Sequence, residues 1–138
     1  MSVHSHPSEL EVIIDTPRGS LVKRSDDGRI DFLSPLPCPF NYGSVPDTCS
    51  SDGDRLDALV LGPRLARNSA VRVAVVGLVH FVDAGQSDPK YVCSARPLRL
   101  ADRLLVAAFF TLYARAKQLL NAARGKRGAT RYERLELL

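Results

Sequence analysis

Ser51–Leu61 reads SDGDRLDALVL. Asp52, Asp54 and Asp57 fall within six residues, Gly53 separates the first two, and Ala58–Leu61 continues as an unbroken apolar run. Serine and glycine mark a loop, and the apolar run marks the start of a buried strand. Three like charges crowded at a strand entrance destabilise the fold unless a cation neutralises them. Hard divalent ions do this because they take oxygen ligands. The competing reading is a solvated acidic turn, since turns favour Asp and Gly. A second acidic cluster separates the two.

That cluster lies downstream. Asp83-Ala-Gly-Gln-Ser-Asp88-Pro-Lys90 follows the apolar run Val71–Val82 and adds two carboxylates and a lysine in a Gly-containing loop. Five carboxylates exceed what a single Mg²⁺ takes from protein, usually about one or two. They suit two or more ions working on a phosphate, with a water activated between them.

The rest of the chain supplies short strands and then a helix. Glu11–Thr16 predicts a strand stopped by Pro17, and Ser20–Arg24 predicts a second. Asp26-Asp27-Gly28 signals a hairpin into Arg29–Leu33. Four prolines between Ser34 and Thr48 exclude a central strand or helix through that segment. It reads as a stiff loop or edge that delivers Asn41-Tyr42-Gly43 to one place. Leu56–Leu61, Val71–Val82 (one bent strand or two, with Gly77 as the kink) and Tyr91–Ala95 complete the early strands. His80, alternating within an apolar run, reads as structural. From Leu100 the period becomes helical. Leu105, Phe109, Leu112, Ala116, Leu119 and Ala123 form the expected core stripe, with Phe110, Tyr113 and Leu120 beside it. The helix ends near Gly125, and Arg131–Leu137 is a last strand or tail. This order predicts a mainly β fold with α: a small five-stranded, OB-like closed barrel with one long C-terminal helix packed on it.

Composition is that of an ordinary globular domain, with 45% apolar and 25% charged residues in 138. We expect one domain over residues 11–138 behind a flexible leader, 1–10, whose histidines are given no role. No apolar run reaches membrane-span length, and no basic and apolar signal region opens the chain, so a cytoplasmic protein without a membrane partner is expected. Cys38, Cys49 and Cys93 form no CxxC pair and read as reduced thiols. Net charge is +4, but Arg96 onward holds ten Lys/Arg against three Asp/Glu. Without interleaved aromatics this basic third reads as a solvated face and tail rather than a nucleic-acid surface.

From Glu11 to about Lys117 the chain resembles soluble inorganic pyrophosphatases of the first family, as a short, divergent member. The residues that carry the resemblance are Asp52-Gly53-Asp54-Arg55-Leu56-Asp57, matching D-x-D-x-x-D; Asn41-Tyr42-Gly43; Asp83, Asp88 and Lys90, matching D-x₄-D-x-K; and Phe109-Phe110-Thr111-Leu112-Tyr113, matching F-F-x-x-Y. The resemblance implies Mg²⁺-dependent hydrolysis of diphosphate to two phosphates, with Mn²⁺ as an alternative ion, and a homo-oligomer, hexameric in prokaryotic relatives. It implies that Asp52, Asp57 and Asp88 hold the tightest metal, with Asp83 and Asp15 contributing to further ions or their waters. Asp54 would act as general base. Lys23, Tyr42, Lys90 and Tyr113 would meet phosphate oxygens.

The chain also departs from that pattern. Ser25 replaces a family Glu, Phe32 an Arg, Cys38 a Tyr and Ala114 a Lys, and Asp15 stands where the family has Glu. Arg24, Arg115 or Lys117 are candidates to replace the lost phosphate-site cations. Two alternatives follow: another phosphoanhydride as substrate, such as an organic diphosphate or nucleotide, or a phosphate-, metal- or nucleic-acid-binding protein with little turnover.

Overall fold

The computed structural model describes residues 6–25, 27–33 (31–33 as backbone), 37–49 and 53–138. Among the described residues, nine strands and one helix follow one another as β1 (Glu9–Thr16), β2 (Val22–Arg24), β3 (Ile30–Leu33), β4 (Asn41–Val45), β5 (Leu56–Val60), β6 (Ala70–Asp83), β7 (Gln86–Ser87), β8 (Lys90–Cys93), α1 (Leu100–Ala123) and β9 (Arg131–Leu137).

Pairing runs β1-β4-β5-β8-β6, and β6 pairs back to β1, so five strands close a ring. Strand β6 makes this closure possible through its length. Its first residues pair with β1 and its later ones with β8 and β9. The register against β8 shifts between Val75 and Gly77, at the glycine the sequence marks as a kink. β2 and β3 form a separate hairpin. Inside the ring, all five strands contribute to one cluster that includes Val12, Ile14, Val45, Ala58, Val60, Val73 and Cys93. The opposite face of β4, β5, β8 and β6 carries Tyr42, Leu59, Val92, Val79 and Phe81, and α1 covers it with Val106, Phe110 and Tyr113.

Two expectations need correction. Asn41–Val45 is not a loop or an edge: β4 lies between β1 and β5. Its five residues fall between Pro39 and Pro46, so no proline removes a ladder donor from it. Gly43 lets β1 come close, since a Cβ there would meet the Ile13 carbonyl oxygen at 2.2 Å. The second correction concerns α1. Its limits match the periodicity, but its buried face is Val106, Phe110, Tyr113, Ala114, Lys117 and Asn121. Leu105, Leu112 and Leu119 of the expected stripe are 44%, 53% and 75% exposed. Hydrophobicity alone selects the leucines, whereas the face turned to the sheet carries two polar residues with work to do there. At the N-terminal end, His6 accepts or donates a hydrogen bond at Tyr91 (3.0 Å), and Val75 N–H donates to the Ser8 carbonyl, so this part of the leader is tied to the barrel.

Candidate functional site

The site grows from one parallel pairing. β5 and β8 run side by side with Asp57 opposite Lys90. Because the strands are parallel, the loops that enter them lie at the same end of the ring. The Asp54 loop and the Asp83–Asp88 loop therefore open onto one cavity of about 520 Å³. Asp15, at the end of β1, and Ser44, opposite Asp57 on β4, complete its floor.

Lys90 lies beneath this floor with no exposed surface. Its Nζ sits 3.0 Å from Asp57 Oδ2 and 2.8 Å from Asp88 Oδ2. Burial alone would depress the ammonium, but the two carboxylates outweigh it and hold Lys90 protonated above its ordinary range. Burial likewise pushes the Asp57 carboxyl up, and Lys90, then Lys23, bring it below the usual carboxylate value. Tyr42 donates its hydroxyl to Asp57 Oδ2 at 3.0 Å. Burial, reinforced by the Asp57 charge, raises the Tyr42 phenol well above its ordinary value, so it stays a donor. Lys23 Nζ lies 4.6 Å from the centroid of the Tyr42 ring and 5.9 Å from that of Tyr113.

The opposite wall comes from α1 and its following turn. Lys117 Nζ reaches Asp83 Oδ2 at 3.6 Å, and Asn121 Nδ2 donates to Asp83 Oδ1 at 2.7 Å. Thr130 Oγ1 also donates toward Asp83 Oδ1 at 3.4 Å. The cavity edge is completed by Arg24, Lys126 and Arg127.

Carboxylates from Asp15, Asp54, Asp57, Asp83 and Asp88 line one cavity and are the oxygen donors a hard divalent cation takes, although no three of the described ones already stand close enough together to hold one ion. Ser44 Oγ, buried at the floor, has no hydrogen-bond partner among the described residues. A buried hydroxyl in that position calls for a bound water or ligand.

A family profile of inorganic pyrophosphatases matches residues 12–122. The chain belongs to the inorganic pyrophosphatase family. Two relatives named inorganic pyrophosphatase illustrate the distance within that family. The one from Gluconobacter oxydans is 36% identical over 95 residues, covering 63% of this chain and 55% of the relative. The one from Saccharolobus solfataricus is 33% identical over 98 residues, covering 65% of this chain and 57% of the relative. The matched part thus spans little more than half the length of these relatives. Among solved structures, an inorganic pyrophosphatase from Neisseria gonorrhoeae superposes with a TM-score of 0.75 at 28% identity, covering 94% of this chain and 83% of that one. One from Thermus thermophilus gives 0.75 at 26% identity, covering 98% and 86%.

Against the residues that the family resemblance singled out, the cavity gathers Asp15, Lys23, Tyr42, Asp54, Asp57, Asp83, Asp88 and Tyr113. Lys90 joins them from below through its two ion pairs. Asp52 and the Phe32 side chain lie outside the described residues. Arg115 is the correction: it is exposed and does not line the cavity, whereas Lys117 does. Two residues beyond Tyr113 is a turn of about 200° on a helix, which carries Arg115 to the far side, while four residues restores the face. Lys126 and Arg127 escaped the sequence reading. They follow Gly125, where helical periodicity ends and offers no signal of direction. No helix of the described residues is long and apolar enough to cross a membrane.

Proposed function

We propose that this protein hydrolyses inorganic diphosphate to two phosphates with the help of divalent cations, Mg²⁺ or alternatively Mn²⁺. The observation that carries this reading is the convergence of Asp57 and Asp88 on one ammonium, at 3.0 and 2.8 Å, at the floor of a carboxylate-lined cavity. Two half-buried carboxylates that already share one buried ammonium are positioned to share another cation.

Asp52, Asp57 and Asp88 would hold the tightest ion, with Asp83 and Asp15 facing further ions or their waters. Bound cations supply charge neutralisation and an attacking water of lowered pKa. Asp54, exposed at the cavity mouth, would serve as the base for such a water. Tyr42, Tyr113 and Lys23 orient phosphate oxygens with an O–H or N–H each, and stabilise charge as the bridging bond breaks. Lys90 offsets part of the negative charge of Asp57 and Asp88 in the absence of ligand and would meet a phosphate oxygen once those carboxylates face other cations. Lys117 holds Asp83 in place from the helix side.

A phosphate-release assay on diphosphate, with and without Mg²⁺ and beside nucleotides and organic diphosphates, tests the reading. Diphosphate is expected to be the preferred substrate and chelation of the metal to stop release. Asp54→Asn should lower kcat by about 10²–10⁴-fold while leaving Mg²⁺ binding in place. Turnover unchanged in that variant would remove Asp54 as the base, and preference for another anhydride would replace the substrate.

The same reading includes cytoplasmic placement, supported by three thiols outside any disulfide, and a homo-oligomer, hexameric by family resemblance. The apolar face of α1 left open by the fold, Leu105, Leu112 and Leu119, supports such an assembly. Leu112→Glu should reduce the sedimentation coefficient if this face joins copies; an unchanged coefficient locates the interface elsewhere or shows a monomer.

A further inference from the structure

The turn between α1 and β9 projects two cations over the cavity that the reading above leaves unused. Lys126 and Arg127 both line it and are both exposed. Among the described residues, neither side chain has an ion pair or hydrogen bond, whereas Lys117 beside them is matched to Asp83. Two unmatched cations at one edge repel one another unless an anion sits between them.

The turn is fixed rather than draped. Lys126 N–H donates to the Asn121 carbonyl at 2.8 Å, closing the helix end. Gly85 N–H donates to the Ala129 carbonyl at 2.8 Å, and Ala84 N–H to Thr130 Oγ1 at 2.9 Å. Gly128, at φ +100°, lies flat on the β6–β7 turn; a Cβ there would meet the Ala84 carbonyl carbon at 2.6 Å. The backbone of this turn is thus bolted to the loop that carries Asp83 and Asp88, while its two long side chains are left to the cavity. Anion recognition by Lys and Arg on a preorganised backbone loses less entropy than recognition by a mobile tail.

We propose that the α1–β9 turn is the second anion-binding element of this cavity, with Lys126 and Arg127 holding the phosphoryl group of diphosphate that lies farther from the acidic floor. The proposal rests on the diphosphate reading of the site. The Arg127 guanidinium offers paired donors to two phosphate oxygens, and the Lys126 ammonium supplies a point charge beside it.

The double variant Lys126→Gln/Arg127→Gln tests this, with thermal unfolding expected to match wild type because neither side chain holds the fold together. The KM for diphosphate and the Kd for non-hydrolysable methylenediphosphonate, both with Mg²⁺, should rise at least about tenfold, with kcat within about threefold of wild type. Lys126→Arg/Arg127→Lys should keep most of the affinity. KM and Kd both within about twofold of wild type overturn the proposal. If wild type binds methylenediphosphonate but releases no phosphate from diphosphate, the hydrolytic reading fails, while weaker binding by the Gln variant still supports the turn. Failure of wild type to bind methylenediphosphonate overturns the proposal as well.

Discussion

Asp57 and Lys117 face the same cavity from opposite sides, and they reached it by different routes. Asp57 stands in a short acidic motif at the mouth of β5, and the parallel register with β8 sets it opposite Lys90. Lys117 stands mid-helix in a stretch that reads as surface, and it is 6% exposed only because α1 turns a partly polar face inward. The acidic floor is built from strand ends and the loops beside them, where local sequence and position coincide. The basic wall is built from a helix and a turn whose orientation depends on everything they pack against. Charge in the floor is therefore concentrated in one motif set, while charge on the wall can move along the chain as long as the packing presents it.

The sharpest way to break this contrast is at the floor. Asp57→Asn removes the negative charge that Tyr42 and Lys90 share and leaves the buried ammonium with Asp88 as its carboxylate partner. Diphosphate hydrolysis should fall on the order of 10³-fold, and the half-saturating Mg²⁺ concentration should rise. Thermal unfolding measured alongside separates loss of chemistry from loss of fold. Retention of more than about a tenth of wild-type activity would show that the floor does not organise the reaction.

The wall should respond less. Lys117→Ala leaves Asp83 held by Asn121 and Thr130, so its carboxylate loosens without being lost. A cost of about 10–100-fold in kcat/KM or Mg²⁺ affinity is expected, as for other partners that orient a metal-binding carboxylate. A loss as large as that of Asp57→Asn would mean that wall and floor form one unit, and the contrast drawn between them would collapse.

Much of this was readable in the sequence, for reasons that differ by element. Strand-sized apolar runs, the Asp27-Gly28 turn and the helical period from Leu100 report local geometry, and the structure follows them closely. β4 was hidden because prolines flank it on both sides, and the two-residue β7 because it is too short to carry a pattern. Asp54, Asp57, Asp83 and Asp88 were legible through their spacing in loops at the ends of buried strands, and Asp15 through the family resemblance. The added cations were harder to place: Arg24 and Lys117 were named only as candidates beside Arg115, and Lys126 and Arg127 were missed, because all four reach the cavity through tertiary placement and no spacing rule links positions separated by a barrel. The face of α1 was misread for the same reason. Lys117 and Asn121 belong to the interior because Asp83 is there to receive them, which a count of leucines cannot register.

Arg115 supplies the smallest and most discriminating test. It lies two residues from Lys117, carries the same charge, and stands nearer in sequence to Tyr113 and to Ala114, where the family has a lysine. If charge anywhere on this helix turn served the phosphate through long-range attraction, Arg115→Ala and Lys117→Ala would have comparable effects at low salt, and both would fade as salt screens them. If placement governs, Arg115→Ala should leave kcat and KM within about twofold of wild type, because an exposed cation on the far side of α1 interacts mainly with solvent. Measuring both variants at low and at physiological ionic strength decides between these. A salt-sensitive rise in KM for Arg115→Ala would return that residue to the substrate site and make the helix face a poor guide. An inert Arg115 beside a costly Lys117 would show that about 200° of helix rotation separates a residue that serves the cavity from one that does not.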